Sequence, residues 1–278
     1  MTRSGDSGSP AADGPAAGGP AADAGVVRVR GIELGRGRPE IIVPVTGADQ
    51  GAVLDQARAA TDSPGRVLEW RLDRFRPDLD VAAHRDAAVA ALPALREIMG
   101  QDRALLVTLR TSAEGGSREI SDDELAATLE AVMAGGFADL VDVETSRSPE
   151  TGASVIASAH ALGLAVVGSF HDFERTPPED EMAEILRTQR RLGADLPKIA
   201  VTPRDARDVL ALLAASVQVA DDGLGPHIAI SMGSLGAVSR VAAETFAGAA
   251  TFAAVGEGSA PGQLEAGEVA RMLTLLRP

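Results

Sequence analysis

Residues 179–203 read Glu179-Asp-Glu-Met-Ala-Glu-Ile-Leu-Arg-Thr-Gln-Arg-Arg-Leu-Gly193-Ala-Asp-Leu-Pro-Lys198-Ile-Ala-Val201-Thr-Pro203. They hold three elements in succession. Thr176-Pro-Pro precedes a helix over 179–192, and Gly193 stops it. Residues 196–201 are apolar apart from one lysine, the pattern of a strand buried on both faces. Thr202 then caps a further helix with Pro203 at its first position, where the missing N–H costs nothing. Helix, buried strand and helix in tight sequence make the repeating unit of a parallel α/β protein.

The same alternation runs outward in both directions. Further short, Val/Ile/Leu-rich strands are expected at 40–46, 67–73, 104–110, 138–144, 164–170, 227–232 and 250–255. The helices between them include 121–135, opened by the capping box Ser121-Asp-Asp-Glu124, and the chain closes with one over 264–276. Eight strands alternating with eight helices predict an α/β fold, a (β/α)8 TIM barrel in a single domain over residues 26–278. The alternative is a doubly wound open sheet, but no G-x-G-x-x-G follows the first strand. Polar residues also gather at the C-terminal ends of many strands: Glu69 and Arg71, Arg110, Asp142 and Glu144, then His171 and Lys198. Only a closed barrel brings all those ends around one mouth. Residues 1–25, rich in Gly, Ala, Pro, Ser and Asp, lack the apolar stretch of a signal peptide and read as a disordered leader.

Composition removes several functions. Aromatics are 3% of the chain, with one Trp and no Tyr, so a base-stacking nucleic-acid surface is not expected. A net charge of −14 argues against a polyanion bound over a broad surface. An anionic small molecule would need a local cluster of arginines. The absence of cysteine excludes disulfides, thiol nucleophiles and cysteine-ligated metals, and is compatible with the cytoplasm. No apolar run approaches the roughly 18 residues of a membrane span.

Lys198 is the one lysine among 26 basic residues, the rest being arginine. An arginine-rich chain replaces surface lysines readily, so a lysine retained in an apolar strand is a candidate for work that arginine cannot do. Lysine can lose its proton where burial lowers its pKa, and a neutral amine attacks carbonyls. His171 is the histidine of four that stands at the C-terminal end of a strand, where an imidazole can carry protons. Asp172 points to the opposite side if that strand persists; His84 and His160 fall in helices and His227 starts a strand at the far end. Glu69 and Arg71, at i and i+2, share one face and read as a structural ion pair or as a substrate contact. Arg110 leads into a loop that carries Glu114 and Gly115-Gly116. Met232 ends a strand before the glycine turn that leads to Arg240, a residue suited to a carboxylate. The last loop, Gly256-Glu-Gly-Ser-Ala-Pro-Gly-Gln263, offers Ser259 and Gln263 as neutral hydrogen-bonding groups.

In order and spacing these stretches resemble the type I 3-dehydroquinate dehydratases over residues 39–278. The resemblance rests on Glu-Trp-Arg at 69–71, Arg110 through 114–116, His-Asp-Phe at 171–173 and Thr-Pro at 176–177. It continues with Gly-Ala-Asp at 193–195, Lys198, Met232, Ser-Arg at 239–240, Thr-Phe at 251–252 and Ser-Ala-Pro-Gly-Gln at 259–263. It implies that Lys198 forms an imine with the substrate ketone, that His171 is the general acid and base, and that Glu114 orients it. It implies that Arg240 and Gln263 hold the substrate carboxylate and a nearby hydroxyl, while Glu69, Arg71, Arg110 and Ser259 bind ring hydroxyls or order the mouth. Met232 and Phe252 would line the ring. Where members often carry a second methionine this chain has Ile230, of similar volume.

The resemblance further implies the substrate 3-dehydroquinate, no metal or other cofactor, no nucleic-acid or membrane partner, and a cytoplasmic homodimer. The shikimate pathway to chorismate and the aromatic amino acids is the implied setting, and a quinate-degrading role uses the same chemistry. A class I aldolase-like barrel also needs a strand-borne lysine, but no dedicated phosphate loop is evident. A non-catalytic barrel binding a cyclic hydroxy acid is the alternative from another class.

Overall fold

The computed structural model describes residues 25–256 and 258–277, so the leader expected at 1–25 lies, apart from Gly25, outside the described residues. The first paired segments are β1 (Val27–Val29) and β2 (Ile32–Leu34), an antiparallel hairpin. Its two turn residues, Arg30 at φ 46° and Gly31 at φ 72°, both take left-handed backbone, as a type I′ turn requires. Ile32 and Leu34 share one face of β2, and both are buried among the interior residues Ile42, Val67, Ala104, Leu106 and Leu140. The hairpin therefore plugs the N-terminal end of the barrel. Arg30 latches it there, donating from Nε to Asp139 Oδ1 at 2.7 Å and from Nη1 to Gln101 Oε1 at 2.8 Å. Leu34→Ala is expected to cost about 2–4 kcal/mol, read from urea unfolding, through the cavity it leaves. Wild-type stability in that variant would remove the hairpin from the core.

The barrel strands are β3 (Glu40–Val45), β4 (Val67–Arg71), β5 (Ala104–Thr108), β6 (Leu140–Glu144), β7 (Ala165–Asp172), β8 (Leu196–Val201), β9 (Ile228–Ser231) and β10 (Ala250–Phe252). They pair in parallel in chain order, and β10 returns to β3. His227 bridges to Gly248, and the Ala249 amide donates to the His227 carbonyl at 2.8 Å, which closes the ring between β9 and β10. Helices α1 (Gln50–Thr61), α2 (Val81–Met99), α3 (Asp122–Ala134), α4 (Pro149–Ala161), α5 (Glu179–Arg191), α6 (Ala206–Asp221), α7 (Val238–Val241) and α8 (Ala266–Leu275) accompany the strands. The expected TIM barrel is the observed fold. Among the described residues no helix is long and apolar enough to cross a membrane.

Strand periodicity divides the core in two. Outward residues such as Val43, Leu68, Trp70, Leu105 and Val141 pack against the helices. Inward residues change character along the barrel axis. Near the hairpin they are Val67, Leu106, Leu140, Val167 and Leu196. One or two pleats further they become Glu69, Thr108, Asp142, Ser169 and Lys198, all buried. An apolar floor thus carries a polar chamber at the C-terminal ends of the strands.

Several element ends differ from expectation: β10 stops at Phe252 rather than 255, and α6 starts at Ala206 under an Asp205 cap rather than at Pro203 under Thr202. β4 and β5 stop at Arg71 and Thr108, where the sequence suggests 73 and 110. The Asp73 carboxylate, on a 3-10 turn over Leu72–Arg74, accepts the Arg110 amide at 3.4 Å and the Ser117 amide at 3.1 Å, displacing the ladder. β7 instead runs on to Asp172, so His171 lies within the strand. Asp172 does turn away from the interior and accepts the amides of Glu174 and Arg175, each at 2.9 Å.

Candidate active site

Parallel register sets the first distances. Ser169 and His171 of β7 lie opposite Lys198 and Ala200 of β8, so all four share the inward face. Lys198 is 4% exposed, its amine 3.6 Å from Asp142 Oδ2 and 4.5 Å from the centre of the Phe252 ring. Gln189 of α5 fixes its backbone, accepting the Lys198 amide at 2.9 Å and donating to its carbonyl at 3.0 Å. The amine thus stands on a clamped piece of strand.

His171 is oriented through Nδ1, which lies 2.8 Å from Glu114 Oε2. Glu114 ends a 3-10 turn over Ser112–Glu114 and also accepts from Ser146 Oγ and, at 3.3 Å, from Arg110 Nη1. The two glycines that follow let this turn close. Gly115 has φ 78°, and a Cβ there would overlap the Phe173 ring; a Cβ at Gly116 would overlap the Arg110 carbonyl. Phe173 in turn lies nearly parallel to the imidazole, with ring centres 6.5 Å apart at 19°. One edge and one face of the histidine are therefore held.

Arg110 is the centre of the charge network. It donates to Asp142 at 2.8 Å, Glu144 at 3.0 Å and Ser169 Oγ at 3.0 Å besides Glu114. Thr111 completes Glu144, donating from its amide at 2.8 Å and its hydroxyl at 2.7 Å. Full pairing of this kind offsets the desolvation of charges buried this deeply. Arg71 pairs with Asp73, through bonds of 2.7 and 2.9 Å, rather than with Glu69. Glu69 accepts from Thr108 Oγ1 at 2.9 Å. Of the two readings of Glu69 and Arg71, this removes the mutual ion pair: the 3-10 turn after β4 curls Asp73 back onto the arginine.

Arg240 differs from Arg71, Arg96 and Arg110, each of which pairs with a carboxylate. It is 1% exposed, yet donates only to the Phe252 carbonyl at 3.4 Å and the Pro261 carbonyl at 3.2 Å, with no carboxylate in reach among the described residues. Burial lowers its pKa to about 10. A guanidinium held without a counter-ion at a cavity wall is prepared for an anionic ligand. Nearby, Gln263 Oε1 accepts the Ser259 amide at 2.8 Å and its Nε2 donates to Ser259 Oγ at 3.2 Å, which shapes the last loop.

Burial governs protonation here. It lowers the pKa of Lys198, with Arg110 and Arg71 adding to the effect and Asp142 and Glu69 opposing it. It also holds His171 well below the ordinary imidazole value, reinforced by Arg110, Lys198 and Arg71. Burial raises Glu114 to about 7, where Arg110 opposes it and Glu144 adds. At neutral pH the imidazole is therefore neutral, and the amine gives up its proton more readily than an exposed lysine does.

All eleven residues singled out from the sequence line one cavity of about 170 Å³: Lys198, His171, Glu114, Glu69, Arg71, Arg110, Met232, Arg240, Phe252, Ser259 and Gln263. Ile230 and Phe173 line it too. Sequence reading assigned no role to Phe173, Asp73, Ser146 or Ser169, and none to Asp142 or Glu144 beyond their place at a strand end. The clue available was the alternation Asp142-Val-Glu144, which turns both acids inward.

A sequence model of the type I 3-dehydroquinase family matches residues 41–278. The 3-dehydroquinate dehydratase of Bacillus licheniformis is 40% identical over 252 residues, 90% of this chain and 97% of the relative. Among solved structures, 3-dehydroquinate dehydratase from Geobacillus kaustophilus superposes with a TM-score of 0.86 at 34% identity, covering 91% of this chain and 96% of that one. The type I enzyme from Clostridium difficile gives a TM-score of 0.84 at 35% identity, covering 90% and 97%. With the family match spanning the whole barrel, the chain belongs to the type I 3-dehydroquinases.

Proposed function

We propose that this pocket dehydrates 3-dehydroquinate to 3-dehydroshikimate through an imine between Lys198 Nζ and the substrate ketone. The observation that carries the reading is the one lysine of the chain, buried on a clamped strand with its pKa lowered, beside a neutral histidine. A proton next to a ketone is too weakly acidic to remove readily. Condensation of the amine with the ketone expels water and leaves a protonated imine, which accepts the electron pair when the C2 proton departs. His171 takes that proton, giving an enamine. The enamine pushes out the C1 hydroxyl, which leaves as water with a proton returned by His171. Hydrolysis then releases the conjugated enone and restores the lysine. Glu114 orients the imidazole and supports its positive charge while it holds the proton.

Arg240 anchors the substrate carboxylate, assisted by Gln263. Glu69, Arg71, Arg110 and Ser259 serve the ring hydroxyls or the shape of the mouth, and Met232 and Phe252 cover the ring. Arg240→Lys should raise KM about 10- to 100-fold with a smaller change in kcat, because a point charge replaces a bidentate fork. An unchanged KM would move the carboxylate elsewhere. The same reading carries a hydro-lyase of the shikimate pathway, acting in the cytoplasm as a homodimer, and light scattering in solution tests the dimer.

The direct test is intact mass after incubation with 3-dehydroquinate and borohydride, followed by peptide mapping. A reduced adduct on Lys198 is expected. Folded protein that binds substrate but forms no adduct would exclude the imine.

A further inference from the structure

The geometry points to Asp142 as a positioning residue that aims the amine of Lys198 in the free enzyme and then serves as counter-ion to its protonated imine. This rests on the imine reading above. Asp142 projects inward from β6, its side chain 1% exposed. Its two oxygens are used differently. Oδ1 accepts from Arg110 Nη2 at 2.8 Å and from Ser169 Oγ at 2.7 Å. Oδ2 accepts no hydrogen bond from any described residue and faces Lys198 Nζ at 3.6 Å. Two donors on one oxygen fix the carboxylate plane, so the other oxygen points at the amine without rearrangement.

Among the described residues no other carboxylate lies in ion-pair range of Nζ. The remaining groups that act on the lysine and its surroundings are Glu69 and Arg71 from β4, Arg110 after β5, and His171 from β7. Glu69 is the second acid, but its Oε1 is taken by Thr108. Imine formation places a permanent need for positive charge at Nζ, since only the protonated imine is an effective electron sink. With arginines on several sides, that charge would be lost unless an anion is fixed beside it. A preorganised anion gives this stabilisation at the moment of reaction. Asp142 keeps its charge: burial pushes its pKa up, but Arg110 and Lys198 outweigh burial and bring it down.

Because the chain holds a single lysine, the charge state of Lys198 can be read directly, without substrate. The experiment is an NMR titration of protein carrying labelled lysine, wild type against Asp142→Asn. The expected result is a fall in the lysine midpoint of about one pH unit or more, since an opposing carboxylate is removed. Turnover of Asp142→Asn should drop about 10- to 100-fold while an adduct with 3-dehydroquinate and borohydride still forms on Lys198. Ser169→Ala leaves every charge in place and loosens only Oδ1, so it should shift the midpoint in the same direction by less. It keeps the idea testable if Asp142→Asn does not fold. An unmoved midpoint in the folded variants would overturn the aiming of the amine. A shifted midpoint with undiminished turnover would overturn the counter-ion role. Absence of the adduct in wild type would instead overturn the imine reading itself.

Discussion

Lys198→Arg folds and loses turnover by a factor on the order of 10⁵ or more, with no adduct trapped by borohydride. The cause is chemical before it is steric. A guanidinium stays protonated at any physiological pH and has no lone pair free to attack a ketone. Its bulk adds a second obstacle, because Nζ already sits 4.5 Å from the Phe252 ring centre and 3.6 Å from Asp142. Lys198→Met separates the two effects. It keeps the volume and removes a buried cation, while Asp142 retains Arg110 and Ser169 as partners. Its melting temperature should match or exceed that of the parent, as buried ions seldom stabilise net. It too should be inactive. Near-parental turnover in either variant would end the case for imine catalysis.

His171→Ala loses about 10²- to 10⁴-fold in kcat, the usual worth of a positioned acid or base. The amine is untouched, so the imine still forms, slowly, and then accumulates because the C2 proton has no acceptor. Intact mass in a single turnover should therefore show more adduct, not less, than the parent. The fold should hold, because Glu114 keeps Ser146 and Arg110 as hydrogen-bond partners once the imidazole is gone. Normal turnover would take the histidine out of the proposed mechanism. Loss of the adduct as well would mean that His171 is needed for condensation rather than only for proton transfer.

The residues of the site were legible because their types are unusual for their positions. A lysine inside an apolar strand, a histidine at a strand's end and acids at alternating positions each break a pattern that burial otherwise enforces. The strands themselves were legible for the same reason, since parallel strands covered on both faces read as short apolar runs. The hairpin over Val27–Leu34 was not. Its segments Val-Arg-Val and Ile-Glu-Leu span three residues each, too few for a period to stand out, and a turn of Arg30 and Gly31 is no strong signal. The partner of Arg71 was not legible: Glu69 shares its face along an extended strand and was one candidate, whereas the strand in fact ends there and Asp73 curls back.

The sequence by itself determined which elements form, in what order, and which side chains turn inward, because these depend on neighbours a few residues away. It also determined the chemistry on offer: one amine, one suitably placed imidazole and a set of arginines. Only the tertiary structure decided which charges meet. Arg110 gathers Asp142 and Glu144 from β6 and Glu114 from the turn after β5, and Arg240 is left, among the described residues, with carbonyl partners alone. Those choices follow from strand register and barrel closure, which set distances between residues 30 to 60 positions apart. The same closure removes water from around Lys198, His171 and Glu114, and so shifts their proton affinities in ways that no local pattern encodes.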